Sequence, residues 1–303
     1  MSLTIGMHTG QQNISIDELR KLWKFADSNG FDFISVWDHF YEAPSIDGNT
    51  PVFEAISLMS ALAVETKNAN IGCHVFCATY RNVGLLAKSI MTIDHLSNGR
   101  VELGIGAGWH EPEHLAFGFP FSSAKDRSDR LEETIQSLRL LLTQTNSTFS
   151  GRFVSLSNAI ILPQPIQSRI PIIVGGRGEQ RTLRTAARHA DGWNVPYVEK
   201  DEFERLTKIL DHWCEIEQRD PTILHKSVNL HMRMGITTKD VERINNERGQ
   251  IQGSLTGTKQ QVIDTINQYS ELGAARISIA IRPPIEWDAL HLFVEEVIPQ
   301  VKK

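Results

Sequence analysis

The run Ile170-Pro171-Ile172-Ile173-Val174 is followed at once by Gly175-Gly176-Arg177-Gly178. The first five residues are apolar throughout, and sequence with a helical pattern continues over 179–189. A short apolar run that ends in a glycine-rich turn and leads into a helix is typical of a strand in a parallel sheet, whose two faces are both covered. The stretch therefore predicts one strand–helix unit of an α/β fold.

The same unit recurs along nearly the whole chain. The candidate strands are 3–8, 33–37, 70–75, 101–105, 170–174, 192–195, 227–235 and 276–281. The candidate helices are 16–28, 53–66, 85–96, 128–142, 179–189, 203–217, 259–272 and 287–297. Eight strands with eight following helices predict a (β/α)8 TIM barrel of the α/β class. The alternative, a doubly wound sheet, usually has fewer strands and a second domain.

Two segments interrupt this alternation. Residues 41–51 separate the second strand from its helix, and residues 145–168 carry Gly151, Pro163 and Pro165 and match no helical period. Neither segment resembles a flexible linker. We therefore expect a single barrel domain over 1–303, with insertions near 41–51 and 145–168 that wall the substrate pocket.

The composition excludes several classes of function. Of the 303 residues, 41% are hydrophobic and 22% are charged, which is enough apolar surface for a large core. The net charge is −5 without a basic stripe, so nucleic acid is not an expected partner. The longest apolar run, about 55–64, is far short of the roughly 20 residues of a membrane span, so no membrane role is expected. Three cysteines, and a start without a charged and apolar leader, indicate the reducing cytoplasm.

Functional residues of a TIM barrel follow the carboxyl ends of its strands. In this chain those positions are polar or glycine-rich, and they are His8, Asp38, His39, His74, Cys77, Tyr80, Gly106, Ala107, Gly108, Trp109, Gly175, Gly176, Arg177, Gly178, Trp193, Asn194, Arg233 and Arg282. Because the strand ends meet on one face, we expect these residues to converge on one site for a small molecule. The predicted substrate pocket consists of His8, Trp109, Trp193, Arg233 and Arg282.

The pair Asp38-His39 follows the second strand and places an imidazole beside a carboxylate at the mouth of the barrel. Histidine can transfer a proton near neutral pH. We therefore predict a catalytic pair in which His39 is the general acid or base. A purely structural histidine is the alternative.

Two glycine-rich segments suggest a bound ring and a bound phosphate. Gly104-Ile105-Gly106-Ala107-Gly108 follows a strand, but Trp109 and the lack of a helix exclude the dinucleotide fingerprint. These glycines more plausibly let a flat ring lie close to the backbone, with a ligand-free tight loop as the alternative. At the start of the next helix, the N–H groups of 175–178 can cradle a phosphate, and Arg177 adds charge. A turn that needs positive φ is the alternative there.

The segment His110-Glu111-Pro112-Glu113-His114 matches the zinc-protease pattern H-E-x-x-H. That pattern needs both histidines on one face of a continuous helix. Pro112 disfavours the helical conformation at Glu111, so a helix could at best begin at Pro112 and would leave His110 outside it. We therefore predict no metal site, and a helical first turn in which Glu111 and Glu113 complement the dipole.

Several motifs, taken in chain order, resemble those of a known family. They are Val36-Trp37-Asp38-His39-Phe40, Tyr80-Arg81, Leu86-Ala87-Lys88, 92–100, 102–109, Arg127 with Glu133, Pro163-Gln164-Pro165, 171–176 and 190–194. Over nearly its whole length the chain resembles the bacterial luciferase-like monooxygenase superfamily, in particular its coenzyme F420-dependent oxidoreductase branch. The resemblance implies a TIM barrel with an insertion region that transfers a hydride between F420 and a small organic substrate.

The resemblance leaves two alternatives and implies an assembly. The first alternative is an FMN-dependent, oxygen-using monooxygenase, which would need a flavin reductase as partner. The second is a cofactor-binding protein without turnover. Relatives also suggest a homodimer.

The resemblance further implies roles for individual residues. The flavin-type ring would back onto a bulge at His74-Val75, which in relatives often contains a non-proline cis peptide. The cofactor phosphate would meet Gly175, Gly176, Arg177 and Gly178, and further cofactor contacts fall on Gly106, Ala107, Gly108 and Trp109. His39 would transfer the proton, and Asp38 would help to hold the cofactor. Trp109 stands where sugar-phosphate dehydrogenases of this branch have a pocket glutamate, so their substrate class is not inherited.

Overall fold

Parallel strands form a closed barrel in the computed structural model, which describes residues 3–43, 48–249 and 251–302. The strands are β1 (Thr4–Thr9), β2 (Phe33–Val36), β3 (Asn70–Cys77), β4 (Val101–Gly106), β5 (Asn146–Ser150), β6 (Ser155–Ile160), β7 (Ile172–Gly175), β8 (Gly192–Pro196), β9 (His225–Met234), β10 (Ser254–Gly257) and β11 (Arg276–Ile281). The barrel follows the order β1-β2-β3-β4-β7-β8-β9-β11 and closes where β11 pairs in parallel with β1. Closure confirms the predicted (β/α)8 barrel and rules out the doubly wound sheet.

Helices connect the barrel strands and cover the outside. They are α1 (Ile16–Ser28), α2 (Ala55–Glu65), α3 (Val83–Ser97), α4 (Glu111–Ala116), α5 (Ala124–Thr143), α6 (Thr182–His189), α7 (Lys200–Ile216), α8 (Thr238–Arg248), α9 (Lys259–Glu271), α10 (Trp287–Leu292) and α11 (Ile298–Val301), with a 3-10 turn (Pro221–Ile223) and a π-helical turn (Phe293–Val297). Their apolar faces bury side chains such as Leu19, Leu22 and Trp23 of α1 completely. No helix in the described ranges is both long and apolar enough to cross a membrane.

Side chains of the barrel strands alternate between the outer core and the barrel interior, as the period of two requires. On β9, Val228 and Leu230 belong to the hydrophobic core. Between them, Asn229 accepts a hydrogen bond of 3.1 Å from the side chain of Asn194 on the neighbouring strand β8. His231 and Arg233 are in phase with Asn229, so they also face the interior.

The two insertions differ in what they contain. Within 145–168 the structure has an antiparallel hairpin of β5 and β6, which sequence periodicity missed because most of its residues are half-buried or exposed and polar. Of the other insertion, 41–51, residues 44–47 lie outside the described residues. Next to it, Gln12 and Val52 form an isolated antiparallel bridge.

The structure also contains elements that were not predicted. Strand β10 has only four residues and pairs with the end of β9, and α8 lies in a strongly polar stretch. The capping box of Thr237 and Asp240 is the local signal that could have revealed α8. The short helix α4 begins at Glu111, one residue before the earliest start predicted from Pro112, and His110 is its N-cap, so His110 lies outside the helix as predicted.

Candidate active site

Side chains from several strand ends meet around the ring of Trp37 at the mouth of the barrel. The ring centroid of His8 lies 5.3 Å from that of Trp37, and the ring of His39 lies 6.5 Å from it. The guanidinium carbon of Arg282, just after β11, lies 4.8 Å from the same indole ring. Trp109, which follows β4, lies 5.3 Å from the ring of His39 and is 57% exposed at the rim. The predicted convergence of these four strand ends is therefore present.

His39 is paired with a carboxylate that sequence reasoning did not assign to it. Its Nδ1 atom lies 2.9 Å from Oε2 of Glu113 on α4, and 16% of the His39 side chain is exposed. When Nδ1–H donates to the carboxylate, Nε2 is the ring nitrogen that can accept or release a proton. The geometry is that of an oriented histidine general base.

The carboxylate of Glu113 is completely buried and fully hydrogen-bonded. The backbone N–H groups of Phe40 and Tyr41 donate to Oε1 at 2.9 and 2.7 Å, and the hydroxyl of Tyr80 donates to Oε2 at 2.8 Å. Burial by itself would raise the pKa of Glu113, but the hydrogen bonds from His39, Tyr41 and Tyr80 lower it overall. The group is therefore held as a carboxylate. Glu113 lies in the first turn of α4, as predicted, but it also binds His39, Tyr80 and the backbone that follows β2.

Asp38 turns away from His39. Its Oδ2 accepts hydrogen bonds from the backbone N–H of Cys77 and from Nε of Arg81, each at 3.0 Å, and Oδ1 pairs with the same guanidinium. Arg81 also binds Glu54 at 2.8 Å, and although burial opposes it, these two carboxylates raise the pKa of Arg81. With its side chain 1% exposed and both oxygens engaged, Asp38 braces the loops after β2 and β3. The carboxylate of Asp38 is thus bound by Arg81 and not by His39, and its catalytic and cofactor-holding roles stay predictions.

The two histidines of the H-E-x-x-H segment have structural hydrogen bonds. His110 accepts the N–H of Glu113 at 3.3 Å, and the Nδ1–H of His114 donates to the carbonyl of His110 at 2.7 Å. Nε2 of His114 accepts from the hydroxyl of Thr79 at 2.6 Å. Over the described ranges, no group of three His, Cys, Asp or Glu side chains is placed to hold a metal ion.

A bulge in β3 forms one wall of the interior. The pairing of β3 with β4 shifts between Cys73 and Phe76, and the His74–Val75 peptide is cis, as the family resemblance implies. Val75 packs against two glycines, because a Cβ atom at Gly106 would lie 2.9 Å from Cγ2 of Val75 and one at Gly175 would lie 2.6 Å from Cγ1. These glycines therefore allow the side chain of Val75 to pack directly against the backbone of β4 and β7.

The side chain of His74 does not face the mouth. It is fully buried, and its Nε2 lies 2.9 Å from Oε1 of Glu102, which also pairs with Arg276 at 2.6 Å near the amino ends of the strands. Burial opposes ionisation of Glu102, but Arg276 and His74 hold its pKa far below the usual range. The predicted contact between His74 and a cofactor is therefore restricted to the backbone of His74.

The end of β7 and the loop after it contain the four residues predicted to hold a phosphate, 175–178, but the N–H of Gly176 is already used, since it donates to the carbonyl of Asn194 at 3.0 Å. Gly176 has φ of +124°, and its carbonyl accepts a hydrogen bond of 2.7 Å from the indole N–H of Trp193. Arg177 and Gly178 are exposed before α6, and Arg177 forms no ion pair with another described residue. A Cβ at Gly178 would lie 2.7 Å from the hydroxyl of Thr182.

Trp193 is not a pocket residue. Its side chain is fully buried on the outer face of β8, where it stacks on Phe203 of α7 with ring centroids 6.0 Å apart. From the outer face of the barrel, Trp193 holds Gly176 in place through its indole N–H. This position corrects the assignment of Trp193 to the substrate pocket.

Three other predicted pocket residues, His8, Arg233 and Arg282, face the interior, whereas Trp109 lies at the rim. His8 is 2% exposed and pairs with the hydroxyl of Ser35 at 2.8 Å; burial, with the nearby His74 and Arg282, holds its pKa well below 6.5. Arg233 is 9% exposed, and Arg282 lies over Trp37. Sequence reasoning missed Tyr197 and His231, whose rings stack 3.9 Å apart beside these arginines. His231 could have been found, since it lies two residues before Arg233 on the same strand.

The loop after β4 is held in shape by neighbouring side chains. Gly108 has φ of +83°, and a Cβ there would lie 2.7 Å from Sγ of Cys77. The Nε of Arg127 donates to the carbonyl of Gly108 at 3.1 Å. This backbone conformation, with Ala107 half-buried beside it, sets the position of Trp109.

Comparison with known proteins identifies related sequences. A family model described as luciferase-like monooxygenase matches residues 2–244. An uncharacterised protein of Mycobacterium tuberculosis is 35% identical over 159 residues, 52% of this chain and 55% of that protein. An F420-dependent glucose-6-phosphate dehydrogenase of Amycolatopsis mediterranei is 32% identical over 192 residues, 63% of this chain and 56% of that enzyme. An FMNH2-dependent dimethylsulfone monooxygenase of Pseudomonas putida is 29% identical over 178 residues, 59% of this chain and 48% of that enzyme. These alignments span about half the length of each relative.

Solved structures share the whole architecture. An F420-dependent secondary alcohol dehydrogenase has a TM-score of 0.87 at 18% sequence identity, with 100% of both chains covered. The coenzyme F420-dependent tetrahydromethanopterin reductase of Methanopyrus kandleri has a TM-score of 0.85, also at 18% identity and full coverage. At such low identity the likeness establishes the fold alone.

Proposed function

Because the chain belongs to the luciferase-like monooxygenase family, we propose that it is an oxidoreductase that transfers a hydride between coenzyme F420 and a small organic substrate. The F420 dependence named for the Amycolatopsis mediterranei relative supports this cofactor. When bound, the deazaflavin ring would supply the hydride chemistry, and the protein would supply position and proton transfer.

The observation that carries the proposal is the pair of His39 and Glu113. Hydride transfer to or from a carbon–oxygen or carbon–nitrogen bond needs a group that moves the accompanying proton. His39 meets that need, since Nδ1 is held 2.9 Å from a buried carboxylate and the partly exposed ring leaves Nε2 for the substrate. Glu113 fixes the tautomer and orientation of the ring, and stabilises the imidazolium when the proton is taken up.

The chain offers space and charge that fit the cofactor. Glycines at positions 106 and 175 let Val75 lie against the backbone, since a Cβ at either would lie within 3 Å of a Val75 methyl, and the flat ring would back onto Val75. The exposed N–H groups of Arg177 and Gly178, before the amino end of α6, would hold the phosphate together with the Arg177 guanidinium. Trp193 would orient this loop through its hydrogen bond to Gly176.

The second candidate is an FMN-dependent monooxygenase, favoured by the similarity to the Pseudomonas putida enzyme. FMN would use the same ring and phosphate contacts, and a separate flavin reductase would supply its reduced form. A cofactor-binding protein without turnover is the third candidate. The single-domain organisation, the homodimer and the cytoplasmic location stay predictions.

A parallel titration of the purified protein with F420 and with FMN tests the proposal, with ring absorbance and fluorescence as readouts. We expect micromolar affinity for F420 and much weaker binding of FMN. The reverse preference would favour the monooxygenase, and binding of neither would overturn the cofactor assignment. F420 that binds but is neither reduced nor reoxidised across a panel of donors and acceptors would support the binding protein.

A matched pair of variants tests the phosphate cradle in the same assay. Arg177→Ala should weaken the binding of FMN roughly tenfold, as expected for a lost charged hydrogen bond, and leave riboflavin, which lacks the phosphate, unaffected. Arg188→Ala, which removes an arginine of α6 that pairs with Glu132 and Glu217, should change neither.

A further inference from the structure

Arg233 is a buried cation with few partners. Its side chain extends from β9 into the barrel interior, and the residue is 9% exposed. Its Nη2 donates a long hydrogen bond of 3.5 Å to the carbonyl of Arg248, while Nη1 is buried without a partner among the described residues. Buried guanidinium groups are normally paired with carboxylates or fully hydrogen-bonded, because an unsatisfied charge is costly to bury. Among the residues that the structure describes, Arg233 therefore has no anionic partner.

Arg282 lies beside it in a similar state. Its Nη1 donates to the carbonyl of Ala43 at 3.3 Å, its Nε is buried without a partner, and its guanidinium lies over the ring of Trp37. Neither arginine forms an ion pair with a carboxylate of the described residues. Arg248, the third arginine of this region, is already paired with Glu286 at 3.1 Å.

A structural arginine elsewhere in the chain shows the contrast. Arg100, also partly buried, uses Nε, Nη1 and Nη2 to bind the side chain or carbonyl of Thr66 and the carbonyls of Ala63, Ala69 and Ser97. Its donors are engaged by the fold, whereas Nη1 of Arg233 and Nε of Arg282 are buried without a partner in the described part of the chain. The difference indicates a binding role rather than a structural one for the latter pair.

The charges around the two arginines leave the interior positive. The nearest histidines are neutral: burial and the two arginines lower the pKa of His231 to about 3, and burial, His74 and Arg282 lower that of His8. Of the carboxylates at the mouth, Asp38 is paired with Arg81, while Glu113 is bound by His39, Phe40, Tyr41 and Tyr80 and not by either of the two arginines. An anion that enters the barrel would meet two guanidinium groups that form no ion pair with a carboxylate in the described ranges.

The position of Arg282 connects this pair to the reacting centre. Arg282 lies against the ring of Trp37, and the ring of His39 lies 6.5 Å from the same indole. A small molecule held at Arg282 by one end would extend along Trp37 towards His39 and Trp109. The pair is also distinct from the loop of 175–178, which belongs to β7 and α6.

We propose that Arg233 and Arg282 form an oxyanion subsite, so that the substrate is a small organic anion whose carboxylate, sulfonate or phosphate group they bind while His39 faces its reacting carbon. This substrate class rests on the proposed oxidoreductase function, but binding of the anion does not depend on it. Planar guanidinium groups match such oxyanions in two-point hydrogen bonds, and a positive pocket selects against neutral analogues.

The test measures anion binding without any cofactor. Inorganic phosphate, methanesulfonate and acetate are titrated into the Arg177→Ala protein, in which the predicted cofactor-phosphate cradle is weakened, by calorimetry and by tryptophan fluorescence. We expect at least one of the three anions to bind, and the tightest of them identifies the oxyanion class. Arg233→Met and Arg282→Met should each weaken that binding at least tenfold.

Further variants separate charge from folding. Arg282→Lys keeps a cation and should retain part of the affinity, while Arg188→Met, on the outer surface, should have no effect. Thermal unfolding of each variant identifies any loss that comes from misfolding. The subsite assignment is wrong if none of the three anions binds. It is also wrong if the two methionine variants bind the anions as tightly as the protein that keeps both arginines. If those variants instead weaken F420 or FMN alone, the arginines serve the cofactor and the substrate proposal fails, whether or not the enzyme proves to be F420-dependent.

Discussion

His39 and Glu113 form a pair across 74 residues of sequence, with Nδ1 of the imidazole 2.9 Å from Oε2 of the carboxylate. Glu113 cannot move freely, because Phe40, Tyr41 and Tyr80 bind its two oxygens as well. The histidine thus has a fixed orientation and a buried counter-charge. Its proton-transfer role and the positioning role of Glu113 can be separated by substitution.

Replacing His39 by asparagine should reduce turnover by about 10² to 10⁴, the usual contribution of a general acid or base. Cofactor affinity should be almost unchanged, because the ring and phosphate contacts lie on other strands. Initial rates with a substrate that supports cofactor reduction in the native enzyme, together with a fluorescence titration, measure both quantities. His95→Asn, at a solvent-exposed hydrogen bond to Gln164, is the control. Undiminished turnover in the His39 variant would exclude the assignment.

Replacing Glu113 by glutamine should destabilise the protein near neutral pH by about 1–3 kcal/mol, because charged hydrogen bonds are lost in a buried site. Hydrogen bonds from His39, Tyr41 and Tyr80 outweigh burial and lower the pKa of Glu113 in the folded protein. Its carboxylate therefore contributes stability above the unfolded pKa of about 4.3, and that contribution is lost as the pH falls through the folded pKa.

The free energy of unfolding in urea, compared between the Glu113 variant and the native protein from about pH 7 to about pH 3, measures this effect. The difference should shrink as the pH falls below about 4. Glu111→Gln, an exposed position on the same helix, should show no such trend. A difference that stays constant over the whole range would mean that packing, not ionisation, is responsible.

Replacing Arg81 by methionine should cost about 3–5 kcal/mol, because it leaves the buried carboxylate of Asp38 without its cation. The double variant Arg81→Met, Asp38→Asn should be less destabilised than the sum of the two single variants. Arg20→Met breaks an exposed pair with Glu65 and should cost below about 1 kcal/mol. Denaturant unfolding of the four variants gives the coupling, and additive losses would show that Asp38 does not depend on Arg81.

Replacing Gly175 by alanine should weaken cofactor binding about tenfold, equivalent to about 1.4 kcal/mol. The new Cβ would lie 2.6 Å from a methyl of Val75, so one of the two groups must move into the space assigned to the ring. Val75→Ala in the same chain removes that contact and should restore most of the affinity. Cofactor titrations of the single and double variants decide the point; no loss in the single variant, or no recovery in the double, would place the ring elsewhere.

The barrel itself could be predicted because its signal is local. The apolar run of β7 and the fully buried run of β11 each indicate a strand within a few residues. The alternation of such strands with helices then favours a (β/α)8 barrel. Strand β10 carries no such signal, since its four residues become a strand only by pairing with the end of β9. The hairpin of β5 and β6 was missed for the same reason: its pairing, not its hydrophobicity, defines it.

The sequence by itself determined which residues stand at the strand ends, including His39, Gly175 and Arg233, because that depends on neighbours along the chain and on the period of two. Only the tertiary structure decided where their side chains lead. Asp38 turns to Arg81, Trp193 turns outward to Phe203, and His39 meets Glu113 of α4. The physical reason is that a side chain's direction at a strand end, and the partner it finds across 74 residues, are set by how the loops pack over the barrel mouth, which no local pattern encodes.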